Sequence, residues 1–247
     1  LFDKAMPSLD EIEQISKEVN ASEFNQLAFA EQLEAHQKKS SPEDLLRVGV
    51  GVYILGRHSQ AAEKLQNALD CQEKFLILAY ALCQAKQYDE AIESLQKSLD
   101  FQADNLAVSL EKVAVYRAAR NLEAAENELK NCANYENVSA EYHYQLARLQ
   151  EIQGQGETAV NNYKKALELA PEYDNALFGL ALRYDLMGED ELAIDCYKQI
   201  VGREQCPVNA LLNLAVLYED HGDYDRASQY VASVLQAFPN HARAILF

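Results

Sequence analysis

The amino-acid sequence returns to alanine at an almost constant interval through most of its 247 residues. Successive members of this series lie 30, 34, 34, 34 and 34 residues apart: Ala61, Ala91, Ala125, Ala159, Ala193 and Ala227. A period between about 20 and 50 residues is typical of repeat architectures, in which one unit cannot bury its apolar face alone. The spacing therefore predicts six stacked units that bury a continuous core between them.

The same register fixes other positions of each unit. With the recurrent alanine at place 20, the units begin at Pro42, Gln72, Leu106, Ala140, Asp174 and Val208. Place 8 holds a compact residue in every unit, such as Gly49 or Ala79, and place 24 holds a larger apolar one, such as Leu65 or Tyr163. Apolar residues recur at three- and four-residue spacing on both sides of place 15, which predicts two helices per unit. Place 15 is the turn between them, and it holds Gly56, Lys86, Arg120, Gly154, Gly188 and Gly222.

This pattern resembles the tetratricopeptide repeat over residues 42–241. The family motif has small residues at places 8, 20 and 27 and a large one at place 24. The resemblance implies an all-α fold, a right-handed superhelical solenoid of antiparallel helix pairs with six repeats and the start of a seventh. It also implies a concave inner face, which is lined by places 2, 5, 9 and 12 of each first helix.

The flanking segments depart from the repeat. Ser8 and Glu11 form a capping-box pattern that predicts a helix over Leu9–Val19, and Ser22 predicts a second helix from Glu23 to about Lys38. We interpret residues 1–41 as a helical cap of the solenoid, with a docking arm as the alternative. Residues 242–247 resemble the first helix of a truncated seventh repeat, so we expect the sequence to be a fragment of a longer protein.

Composition excludes several classes of function. The net charge of −17 argues against a nucleic-acid or anionic-membrane binder, because phosphate contacts need clustered lysine and arginine. The five cysteines include no Cys-x-x-Cys pair, and the five histidines have no metal-ligand spacing, so we expect reduced thiols in the cytoplasm and no metal site. No phosphate-binding loop or nucleophile elbow occurs. We therefore predict no catalytic residues and no cofactor.

The inner face carries the candidate site. Place 5 is apolar or aromatic in all six units. The resemblance implies that chaperone-binding members of the family have instead a lysine at place 5 and an asparagine at place 9. We therefore do not expect a chaperone Glu-Glu-Val-Asp tail as the partner. The residues predicted to bind a partner form one strip: Leu76, Tyr80, Leu110, Tyr144, Arg148, Phe178, Leu182, Leu212 and Val216. The alternative is that place 5 packs on the neighbouring repeat and is already buried.

These features favour a non-catalytic scaffold that binds a peptide or helix segment of another protein. Carboxylates outnumber basic residues between Glu172 and Asp225, so a partner with an apolar face and a basic end would be complementary. One alternative is self-association through residues 1–40 or the apolar C-terminal edge. The other is a regulatory module of a longer enzymatic or transcription-related protein. For the latter, residues 238–244 weakly resemble bacterial repeat proteins that continue into a domain similar to the RNA polymerase alpha C-terminal domain.

Overall fold

The computed structural model describes residues 1, 7–38, 41–101, 103–203 and 206–247. Residues 2–6 and 39–40 of the predicted cap, and residues 102, 204 and 205 of the predicted repeats, lie outside the described residues. The described residues contain no β-strand. They form fifteen α-helices: α1 (Leu9–Val19), α2 (Glu23–His36), α3 (Pro42–Ile54), α4 (His58–Gln66), α5 (Gln72–Gln84), α6 (Tyr88–Ser98), α7 (Asn105–Ala118), α8 (Leu122–Asn131), α9 (Ala140–Ile152), α10 (Gly156–Leu169), α11 (Asp174–Met187), α12 (Asp190–Val201), α13 (Val208–Asp220), α14 (Tyr224–Ala237) and α15 (Ala242–Ile245).

Helices α3 to α14 pack as six pairs. The two helices of a pair are joined by only two or three residues, and their mutual contacts are the most extensive in the molecule. So short a link makes the second helix run back along the first. The first helices begin at the predicted unit starts, except that α7 begins at Asn105, one residue early. The predicted all-α fold of helix pairs is confirmed.

The chain divides into two compact units. The first comprises Leu1–Cys132 and the second Ala133–Phe247, so the division falls within the third predicted repeat, just after its second helix, α8. Each unit has its own buried apolar core. In the first unit, four buried side chains of α1 and α2 belong to the same core as α3 to α6: Ile12, Val19, Phe29 and Leu33.

The helix starts follow local capping chemistry. Ser8 Oγ accepts a hydrogen bond from the Glu11 backbone N–H, and the Glu11 carboxylate accepts one from the Ser8 N–H, at 3.3 and 2.8 Å. The predicted capping box and the helix over Leu9–Val19 are confirmed. Ser41 caps α3, with Pro42 at its first position. Helix α2 ends at His36, two residues before the predicted limit.

Small residues let the two helices of each pair approach closely. The six alanines at place 20 are at most 2% exposed, and places 8, 24 and 27 are buried in all six units. In the first pair, a Cβ added at Gly49 would lie 2.6 Å from Leu65 Cγ, which is too close for any real contact. The larger residue at place 24 therefore fills the space that the small residue at place 8 leaves open.

The turns between paired helices share one backbone conformation. All six place-15 residues have positive φ, including Lys86 at 64° and Arg120 at 60°. Glycine adopts this region without steric cost, whereas the Cβ of the other two residues makes it unfavourable. The repeat register thus fixes the turn even where the residue type does not suit it.

The last helix, α15, has four residues and buries Ala244 against the pair formed by α13 and α14. The next two residues after Ala244, Ile245 and Leu246, are exposed. Throughout the described ranges, the helices are too short or too polar to cross a membrane.

Candidate partner-binding surface

The nine predicted residues divide by burial into two groups. Three leucines at place 5 are core residues, with exposed fractions of 6% for Leu76, 2% for Leu110 and 0% for Leu212. These three leucines fit the alternative given above, in which place 5 packs on neighbouring helices and is already buried. The other six are half-buried: Tyr80, Tyr144, Arg148, Phe178, Leu182 and Val216. The candidate surface is therefore narrower than the predicted strip.

In the first compact unit, Tyr80 of α5 is held by two neighbours. Its hydroxyl donates to Glu111 Oε1 of α7 at 3.2 Å, and its ring lies 6.5 Å from the ring of Tyr53 on α3. Three successive first helices thus contribute to one patch. Sequence reasoning missed Glu111, which stands at place 6, because the register alone does not show that it reaches the preceding helix.

A negative charge lies close to two weak acids of this patch. Burial raises the pKa of the Tyr53 phenol, and the nearby Glu111 carboxylate raises it further. Burial likewise raises the pKa of the Cys83 thiol, with Glu111 adding to the effect and Arg117 opposing it. Both groups therefore stay neutral at physiological pH. The patch presents uncharged aromatic and sulfur surface beside one carboxylate.

In the second unit, Tyr144 of α9 lies between two other tyrosines. Its ring is 5.2 Å from Tyr173 in an edge-on arrangement and 6.2 Å from Tyr163. The Tyr173 hydroxyl donates to Glu141 Oε2, and burial together with that carboxylate raises the Tyr173 pKa. An open pocket adjoins this cluster and is lined by Ala140, Glu141, Ala170, Pro171, Glu172 and Tyr173.

Arg148 stands one helical turn beyond Tyr144 on the same face of α9. Its Nε lies 3.3 Å from Glu151 Oε2, and both side chains are partly exposed. Burial raises the pKa of the neighbouring Tyr163, the Glu151 charge raises it further, and Arg148 opposes that effect. The predicted positive charge at place 9 is therefore balanced locally by Glu151.

Helix α11 presents the most apolar part of the surface. The Phe178 ring packs edge-on against Tyr197 at 5.7 Å, and the Tyr197 hydroxyl accepts a hydrogen bond from Asn213 of α13 at 3.0 Å. Burial raises the pKa of Tyr197 to about 12. Phe178 thus rests on a fully buried side chain that is also bonded to the next first helix, which fixes its orientation.

Carboxylates border this apolar part. Burial raises the pKa of Asp185, and the charges of Asp190 and Asp220 raise it further. His221 Nε2 lies 3.6 Å from Asp190 Oδ2. In the ranges that the structure describes, no group of histidine, cysteine, aspartate and glutamate side chains is arranged to hold a metal ion.

Comparison with known proteins adds a family resemblance. Residues 140–173 match one model of the tetratricopeptide repeat, and residues 187–242 match another. The matches support a tetratricopeptide repeat protein. Among curated proteins, none matches the chain.

Solved structures of other proteins share the fold. A repeat protein from Parabacteroides merdae is 13% identical, with 96% of this chain and 95% of that chain covered and a TM-score of 0.62. MamA is 24% identical, with 68% and 95% covered and a TM-score of 0.51. YrrB, a tetratricopeptide repeat protein with an unusual peptide-binding site, is 15% identical, with 76% and 96% covered and a TM-score of 0.50. At these identities the likeness shows the fold alone.

Proposed function

We propose that the chain is a non-catalytic scaffold whose first helices bind a peptide or helix segment of another protein. The observation that carries this proposal is that each compact unit has half-buried aromatic or apolar side chains at positions predicted to face inward, on α5 in the first unit and on α9, α11 and α13 in the second. Apolar surface that is left uncovered and bordered by polar groups is typical of protein-binding sites. The cytoplasmic location and the absence of a nucleic-acid or membrane partner stay part of this proposal.

The side chains are also positioned before any partner arrives. Tyr80 is bonded to Glu111, Tyr144 packs on Tyr173, and Phe178 packs on Tyr197. A preorganised surface loses less conformational entropy on binding, so more of the contact energy appears as affinity. Aromatic side chains of this kind are enriched among the residues that dominate binding energy.

An affinity capture with a double variant tests the proposal. Tyr80→Ala with Phe178→Glu removes an anchor from each compact unit and places a charge on apolar surface. The matched control, Tyr224→Ala with Leu192→Glu, likewise truncates one tyrosine and replaces one apolar residue with glutamate, at exposed positions of second helices. We expect a partner that the unchanged chain and the control retain and the inner-face variant loses. Equal retention by both folded variants would contradict binding at the inner face.

Self-association is a second candidate, favoured by exposed apolar side chains at both ends of the described chain. Phe24 and Leu27 of α2 are 78% and 61% exposed, and Leu246 is 86% exposed. Sedimentation equilibrium over a wide concentration range tests it. A mass that rises with concentration, and that Phe24→Ser with Leu27→Ser returns to the monomer value, would support it. A constant monomer mass would exclude it.

The regulatory alternative concerns a domain that would follow residue 247. Both family matches are to tetratricopeptide repeats, so the proposal of a following domain similar to the RNA polymerase alpha C-terminal domain still rests on residues 238–244. The complete reading frame tests it directly.

A further inference from the structure

We propose that the inner surface of α11 and α13 binds a partner segment in which apolar residues lie beside lysine or arginine. This inference rests on the proposed function and names the chemistry of the partner. The surface consists of an apolar part, formed by Phe178, Leu182 and Val216, and an acidic end, formed by Asp185, Glu219 and Asp220.

Helix periodicity brings the two parts onto one face. Phe178, Leu182 and Asp185 stand at positions i, i+4 and i+7 of α11, which share a face of the helix. On α13, Glu219 and Asp220 stand three and four residues after Val216, which is one helical turn. Tyr197 contacts both helices, because its ring packs on Phe178 of α11 and its hydroxyl accepts a hydrogen bond from Asn213 of α13. The Asp220 charge also raises the pKa of Asp185, in keeping with this arrangement.

The three carboxylates of the acidic end lie at helix C-termini, where negative charge does not stabilise a helix. Asp185 lies in the last turn of α11, and Glu219 and Asp220 lie in the last turn of α13; neither turn contains a basic residue. Negative charge at a helix C-terminus is unfavourable, because the last carbonyl groups already carry partial negative charge. Residues that break a local rule of this kind are typical of functional sites.

Three basic residues of the second unit are engaged with other groups. Lys198 and Arg226 lie over the Tyr218 ring, and Arg226 also pairs with Asp223. Arg203 pairs with Asp174. Across the part of the chain that the structure describes, no lysine, arginine or histidine forms an ion pair with the three carboxylates of the acidic end.

Charge complementarity therefore decides which segment suits the apolar part. An acidic segment would bring more negative charge toward the acidic end, and a purely apolar one would desolvate those carboxylates without compensation. A lysine or arginine beside the apolar residues compensates the carboxylates and the two helix C-termini together.

Selection from a display library of random peptides about 12 residues long tests the inference without a known partner. The unchanged chain is the target, and the sequences of retained peptides are compared with the input library. We expect apolar residues with an excess of neighbouring lysine and arginine. Neutralising the acidic end by Asp185→Asn, Glu219→Gln and Asp220→Asn should weaken their binding about tenfold and lower its salt dependence.

Two control variants distinguish an effect at the site from a general effect of net charge or of surface polarity. Glu157→Gln, Glu168→Gln and Asp195→Asn remove the same charge from exposed positions of second helices and should leave binding unchanged. Leu182→Ser with Val216→Ser should weaken every selected peptide, whereas Leu169→Ser with Leu192→Ser should not. Far-ultraviolet circular dichroism verifies that each variant is folded.

The outcomes separate this inference from the proposed function. Peptides that depend on Leu182 and Val216 but show no excess of basic residues would overturn the inference and keep the function. Basic peptides that bind equally to both charge variants would show attraction to the acidic chain as a whole and would also overturn it. A library that yields no peptide sensitive to inner-face substitutions would overturn both.

Discussion

At the scale of single residues, the six place-15 residues share a left-handed turn conformation, and two of them are not glycine. Lys86 and Arg120 are exposed, and their φ values of 64° and 60° are close to those of the four glycines. The hydrogen bond from Gln87 N–H to Leu82 O spans the turn and resembles those at the glycine turns. The strain is therefore tolerated because the packing of the helix pair fixes the turn.

Replacing Lys86 with glycine should stabilise the chain. The change removes a left-handed strain of about 1–2 kcal/mol but adds about 0.5–1 kcal/mol of backbone entropy to the unfolded state, so we expect a net gain of about 0.5–1 kcal/mol. Urea unfolding followed by circular dichroism measures it. As a control, Glu93→Gly in the middle of α6 should cost about 1 kcal/mol. Equal losses at both positions would contradict the assigned turn strain.

Neutralising Asp185 should also stabilise the chain at neutral pH. Its folded-state pKa lies above the ordinary value of 3.8, so the ionised carboxylate opposes folding above that range. As pH falls below both values the group is protonated in either state, and the penalty disappears. Asp185→Asn should therefore gain about 0.3–1 kcal/mol at pH 7, and this gain should fade toward pH 3.

Urea unfolding at several pH values measures the difference between Asp185→Asn and the unchanged chain. Asp195→Asn, an exposed carboxylate in the middle of α12, is the matched control and should show no such trend. A gain at pH 7 joined to weaker peptide binding would indicate that Asp185 is maintained for binding at a cost in stability. A loss of stability at pH 7 would instead indicate a structural role for its charge.

At the scale of elements, the sequence predicted what local chemistry and the repeat register determine. The Ser8 capping box and the turn at Lys86 follow from residue type or from position in the unit. The burial of Leu76, Leu110 and Leu212 does not follow from either of these. A residue at place 5 lies in the core or at the surface depending on the size of the side chains on adjacent helices. Leucine reaches the core there, whereas Phe178 stays half-buried above Tyr197. The bond between Tyr80 and Glu111 was not predicted, since its partners are 31 residues apart.

Packing within a helix pair gives a prediction at this scale. Gly49→Ala forces a methyl group against Leu65 and should destabilise the first pair by about 1–3 kcal/mol. In a chain that already carries Leu65→Ala, the same methyl group enters the cavity and should cost much less. A double-mutant cycle of unfolding free energies measures the coupling. Additive effects of the two substitutions would contradict direct packing between places 8 and 24.

At the scale of the whole molecule, each compact unit contains a large buried apolar core among its described residues. One lies within Leu1–Cys132 and includes Leu65, and the other lies within Ala133–Phe247 and includes Tyr163. Both side chains stand at place 24 and are fully buried. In repeat proteins each unit is stabilised by its nearest neighbours, so the loss of one large side chain weakens the structure locally.

Tyr163→Ala should therefore destabilise the second compact unit much more than the first. Truncating a buried aromatic residue costs about 3–5 kcal/mol, and every 1.4 kcal/mol raises exchange through local opening about tenfold. Hydrogen exchange followed by mass spectrometry should show faster exchange across α9 to α12, with little change across α3 to α6. Leu65→Ala should produce the reverse pattern and serves as the matched control. If either variant accelerated exchange equally in both units, the chain would unfold as one cooperative body, and the two cores would not be independent sources of stability.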